Sequence, residues 1–67
     1  MHQILVNGQP HDVKPDTTVS QLLARLELAG KRLAVERNGE IVPKTLHAET
    51  VLNPGDQFEI VVAVGGG

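Results

Sequence analysis

The chain has 67 residues, 40% of them apolar, with one aromatic (Phe58), no cysteine, and a formal charge of −2 from six Lys and Arg against eight Asp and Glu. A chain this short forms one small domain with little interior for a deep substrate pocket, and without cysteine it has no disulfide framework, thiolate zinc site or cysteine nucleophile. The charge gives no basic footprint for nucleic acid, and the longest apolar run, residues 60–64, is too short to span a membrane.

Met1-His2-Gln3 leads into the apolar run Ile4-Leu5-Val6 without the basic and apolar stretches of a secretory leader, so a cytoplasmic module is expected. Asn7-Gly8 supplies two adjacent residues tolerant of positive φ, a hairpin signal, and a second short strand is expected around Val13. Val19, Leu22, Leu23 and Leu26 then recur at helical spacing on one stripe. The helix is expected over residues 18 to about 28. Thr18 and Gln21 fit a capping box, Pro15 discourages an earlier start, and Gly30 suits the left-handed position after the last turn.

Leu33-Ala34-Val35 and Ile41-Val42 flank Asn38-Gly39, a second hairpin signal. Asn53-Pro54-Gly55-Asp56 has the residue order of a type II turn. Residues 57–64 alternate at first and then become continuously apolar, the pattern of a strand buried on both faces of a parallel pairing. Placing the first and last strands side by side and parallel, under the helix, obeys the right-handed crossover rule and closes one core. This is an α+β fold of the β-grasp, or ubiquitin-like, kind: a mixed sheet of four to five strands with one main helix on one face. The expected core is Ile4, Val6, Val13, Val19, Leu22, Leu23, Leu26, Val35, Leu52, Phe58 and Ile60. The domain is expected to occupy residues 1–64, with residues 65–67 as a flexible glycine tail, and the last strand to lie centrally because an apolar edge invites pairing with other chains.

Little inside the domain suggests chemistry. His2, His11 and His47 show no metal-ligand spacing; His2 and His11, facing each other across the first hairpin, would supply only two of the four ligands a structural site needs. No metal site is expected. Glu36 and Glu40 flank an exposed turn, which lacks the low-dielectric pocket that separates the pKa values of an acid/base pair. Arg37 and Lys44 bracket the second hairpin and read as a small basic patch or a solvated face. Ser20 has no His-Asp arrangement to activate it, and no glycine-rich loop precedes the helix to cradle phosphate.

The end of the sequence remains. Three consecutive glycines at one given place have a chance frequency of roughly 3 in 10,000, and they add backbone entropy without packing. Gly65-Gly66-Gly67 is open to three readings: a frayed end, a linker fragment or cloning scar, or a thread that enters a narrow tunnel in a partner enzyme. In the third reading the Gly67 carboxylate, with no Cβ beside it, is activated as an acyl adenylate by another enzyme with ATP. It then accepts sulfur or an amine, and the domain is the handle.

The whole chain resembles the ThiS family, the sulfur carriers of thiamine (thiazole) biosynthesis. The resemblance runs from Gln3-Ile4-Leu5-Val6-Asn7 through Thr18-Val19-Ser20-Gln21-Leu22-Leu23 to Gly67. Its specific parts are Asn38-Gly39-Glu40-Ile41-Val42-Pro43 and the terminal glycines; Gly55-Asp56-Gln57-Phe58-Glu59-Ile60-Val61 adds to them. The family often has Arg after that proline, where Lys44 stands here, keeping the charge without the bidentate geometry. The resemblance implies a protein that is not itself an enzyme and binds no cofactor of its own. Gly67 would be adenylated by a ThiF-type enzyme using ATP and Mg, and would receive sulfur from a cysteine desulfurase or rhodanese-type donor. It would then deliver the sulfur, as a thiocarboxylate, to thiazole synthase. Gly65 and Gly66 would serve tail recognition. By analogy, the docking face takes in Val61 and Ala63 beside Ile41 and Val42. The alternatives are a molybdopterin-synthase small subunit, a small ubiquitin-like modifier, and a non-covalent β-grasp binding module whose glycines begin a linker.

Overall fold

The computed structural model describes residues 1–63, so Val64 and the tail expected at Gly65, Gly66 and Gly67 lie outside the described residues. The described chain forms strands β1 (His2–Val6), β2 (Gln9–Val13), β3 (Leu33–Arg37), β4 (Glu40–Ile41) and β5 (Gln57–Val62). With them come one helix, α1 (Val19–Arg25), and a 3₁₀ turn, Lys44–Leu46. The sheet order is β2-β1-β5-β3-β4. β1 and β5 pair in parallel at its centre, and the other pairings are antiparallel. This is the expected β-grasp, with the last strand central.

Both hairpins turn on Asn-Gly. Asn7 and Gly8 take φ of 50° and 83°, and Asn38 and Gly39 take 52° and 87°, the paired left-handed residues of a type I′ turn. α1 begins in the expected capping box: the Gln21 amide donates to Thr18 Oγ1 at 3.2 Å, and the Thr18 amide donates to Gln21 Oε1 at 3.0 Å. Its first amides are also tied to the following loop, Val19 N–H donating to the Thr50 carbonyl and Ser20 N–H to that of His47.

The helix ends earlier than its apolar stripe suggests. Leu26 is the C-cap and Glu27 sits in the left-handed region at φ 61°. Leu28 N–H reaches back to the Leu23 carbonyl and Glu27 N–H to that of Ala24, the two bonds of a Schellman motif. Gly30, with φ 83°, serves the next turn instead, closed by Lys31 N–H donating to the Leu28 carbonyl.

The core contains ten of the eleven expected residues, with Val42 added and Leu26 only half-buried against it. β5 departs from expectation in one respect. Phe58 and Ile60 are buried while Val61 is 62% exposed, so the strand is covered on one face only. With α1 packed on one side, the sheet's other side stays open.

Candidate functional site

On that open face, cross-strand register sets Ala34 opposite Val61, Glu36 opposite Glu59, and Ile41 opposite Glu36. Side chains alternate between the faces of a strand, and directly paired residues share a face. Ile41 (61% exposed), Val61 and Ala63 therefore lie on the open face, Val61 and Ala63 where β5 leaves the sheet and Ile41 two strands away, level with Glu59. Val42 does not. As the immediate neighbour of Ile41 it points the opposite way, is 9% exposed, and joins the core, so it is no part of the open face. Glu36 and Glu59 place two carboxylates directly across from each other beside these apolar groups, an arrangement that costs stability.

The turn asparagines hold β5 from both sides. β1 ends at Val6, but Asn7 carries its ladder further: Asn7 N–H donates to the Phe58 carbonyl at 2.8 Å. Its Oδ1 accepts from Ile60 N–H at 2.8 Å, and its Nδ2 donates to the Ile60 carbonyl at 3.1 Å. Asn38 does the same from β3, with its Oδ1 accepting from Gln57 N–H at 2.9 Å and its Nδ2 donating to Asp56 Oδ1 at 3.3 Å. Asp56 is 6% exposed and pairs with Arg37 through Oδ2 at 2.9 Å. The same oxygen accepts from Asn53 N–H at 2.8 Å, which closes the turn before β5. These clamps fix β5 from both sides. The sequence marks Asn7 and Asn38 as turn residues and gives no local sign of their side-chain partners. The one available signal is the repeated choice of Asn, where another left-handed-tolerant residue would turn the chain equally well.

Other candidates separate. His2 is paired with Val13 and His11 with Ile4, so the two histidines are offset and not opposite. Among the described residues no group of three or more His, Cys, Asp or Glu is gathered to hold a metal. His47 is buried in the loop after the 3₁₀ turn, where its Nε2 lies 3.1 Å from the Val42 carbonyl. Since a carbonyl only accepts, Nε2 carries the proton. Glu40 is exposed opposite Arg37, and Arg37 is committed to Asp56, so it does not form a patch with Lys44. No described helix is long and apolar enough to cross a membrane.

A five-stranded mixed sheet in the order β2-β1-β5-β3-β4, with the first and last strands parallel at its centre and one helix packed on one face, is the β-grasp of a ubiquitin-like protein. The ThiS family model matches residues 4–67, and the chain belongs to the ThiS family. It is 44% identical over 63 residues to the sulfur carrier protein ThiS of Bacillus subtilis, covering 92% of this chain and 96% of the relative. It is 42% identical over 65 residues to a thiazole synthase of Paramagnetospirillum magneticum, where the match covers 97% of this chain but only 20% of that longer protein. The thiamine biosynthesis protein ThiS of Geobacter metallireducens has a similar crystal structure, with a TM-score of 0.81 at 32% identity over 97% of this chain and 99% of that one.

Proposed function

We propose that this protein is a sulfur carrier of thiamine biosynthesis and that its reactive group is the Gly67 carboxylate. The observation that carries this reading is the family match, which runs through the terminal glycines to residue 67. A free carboxylate resists substitution, so a ThiF-type enzyme would first join it to AMP from ATP with Mg. The terminal sulfur of a cysteine-derived persulfide on a desulfurase or rhodanese-type donor would attack the acyl adenylate and expel AMP, and a thiol would then reduce the resulting acyl disulfide to release the thiocarboxylate. Gly65 and Gly66 would form the side-chain-free thread that admits Gly67 to the partner's active site. The carrier would not turn over as an enzyme; it would gain and lose the group in the cytoplasm.

Thiazole synthase is the proposed acceptor, supported by the likeness of this chain to a fifth of a protein bearing that name. The exposed group of Ile41, Val61 and Ala63 is the proposed docking face. The test is intact mass after incubation with ATP, a ThiF-type enzyme and a sulfur donor. The expected product carries one sulfur in place of one oxygen at Gly67, and a chain lacking Gly67 gains nothing. A full-length chain that forms neither adenylate nor thiocarboxylate under these conditions removes the carrier reading.

A further inference from the structure

On the helix side of the sheet a groove of about 370 Å³ lies between α1, the segment that follows it and the 3₁₀ turn. Leu23, Leu28 and Leu33 give it an apolar lining, and Lys31, Arg32 and Lys44 add positive charge. Half of the six Lys and Arg of the sequence are gathered here, and among the described residues no Asp or Glu lines the groove. All three cations are exposed, and among the described residues the only ion pair is Arg37 with Asp56, elsewhere. His47 forms part of the wall, held by its bond to the Val42 carbonyl.

A chain of net charge −2 that gathers in one concavity three cations with no ion-pair partner among the described residues attracts anions there against its overall sign. The apolar lining narrows the choice of occupant. A small inorganic anion would meet the charges and leave the leucines wet, whereas an apolar side chain flanked by carboxylates would use both. The groove also adjoins the exit of β5: Ala63 N–H donates to the Arg32 carbonyl at 2.9 Å, and Leu33 pairs with Val62.

We propose that this groove docks an acidic segment of a partner protein, with one apolar side chain among Leu23, Leu28 and Leu33 and carboxylates reaching Lys31, Arg32 and Lys44. Such a partner grips the chain on the helix side, next to the start of the tail. The proposal goes beyond the carrier reading and does not depend on it, because docking requires no activation of Gly67.

The experiment follows backbone amide NMR shifts of the full chain on titration with the blocked peptide Glu-Glu-Leu-Glu-Glu. The comparisons are the same peptide with Gly for Leu, and inorganic phosphate. The leucine peptide is expected to give saturable shifts at Leu28, Gly30, Lys31, Arg32 and His47, reduced by high ionic strength. Replacing Leu by Gly in the peptide weakens binding. So does the combined change Lys31→Gln, Arg32→Gln and Lys44→Gln, by about tenfold if each exposed pair has its usual modest strength. All three side chains are exposed, and the variant's dispersed spectrum reports its folding; the single change Lys44→Gln, expected to give a smaller loss, is the second check. Shifts confined to the open sheet face, binding equal in the Gln variant, or phosphate matching the peptide would each overturn the proposal.

Discussion

Asn7 turns the chain and extends the sheet at once. Its left-handed φ of 50° is one that Asn tolerates, and its side-chain amide meets both backbone polar groups of Ile60. The substitution Asn7→Asp keeps that tolerance and the acceptor oxygen but puts a carboxylate oxygen where Nδ2 donates to the Ile60 carbonyl. An unsatisfied, partly buried acceptor costs about 1–3 kcal/mol, so the urea midpoint of Asn7→Asp is expected to fall accordingly. Asn7→Gly removes the clamp while easing the turn, and a smaller loss is expected. Equal midpoints for wild type and Asn7→Asp would mean that the Nδ2 bond contributes nothing. Asp56 bears a similar burden, with three donors converging on its carboxylate. Asp56→Ala strips the charge partner from Arg37 and the acceptor from Asn53 N–H together. Because Arg37 is partly solvated, a loss of about 1–3 kcal/mol is expected in the same denaturation measurement.

At the scale of elements, local chemistry was legible and distant chemistry was not. The capping box of Thr18 and Gln21 and the two Asn-Gly hairpins depend on residues within three positions of one another, and each formed as read. The network around Asp56 joins residues 18 and 19 positions apart, for which no spacing rule exists. Gly30 misled because glycine is the usual left-handed residue after a helix, yet Glu27 takes that position and lets Leu28 fold back onto the core. Open-face exposure was also hidden: an apolar run looks the same whether a second layer or a partner covers it. Of the apolar residues expected on an exposed face, Ile41, Val61 and Ala63 are exposed, but their companion Val42 falls on the other side of the pleat. Glu27 offers a direct test of the helix end. A non-glycine residue in the left-handed region costs roughly 1–2 kcal/mol, and glycine gives back part of that through its freer unfolded chain. Glu27→Gly is expected to stabilise by about 1 kcal/mol, raising the melting temperature by about 4–8 °C in a domain this small. A lower melting temperature would place the helix end elsewhere.

For the whole molecule, the proposed docking gives the two faces of the sheet different tasks. The covered face carries the folding energy through Ile4, Val35, Phe58 and Ile60 against Val19, Leu22 and Leu23 of α1. The open face carries apolar groups that folding leaves in water and a carboxylate pair, Glu36 and Glu59, that folding forces together. Neither feature contributes to stability, as expected of a surface shaped for contact with another molecule. The double substitution Ile41→Lys and Val61→Lys separates the two tasks. Both side chains are more than half exposed, so little burial is lost, and the new cations lie on the face that holds Glu36 and Glu59. Stability is expected to stay within about 1 kcal/mol of wild type, the usual range for strand-surface changes. On the proposed docking, activation by the adenylating enzyme, measured as pyrophosphate release at subsaturating carrier, is expected to drop through a raised KM, since the variant removes the proposed apolar contact and leaves Gly67 unchanged. A parallel change on the helix side, Leu26→Lys, would lower stability without that selective rise in KM, since Leu26 packs against the core. If Ile41→Lys and Val61→Lys unfolds the domain, the open face is structural. If the variant folds and is activated like wild type, the docking surface lies elsewhere on the molecule.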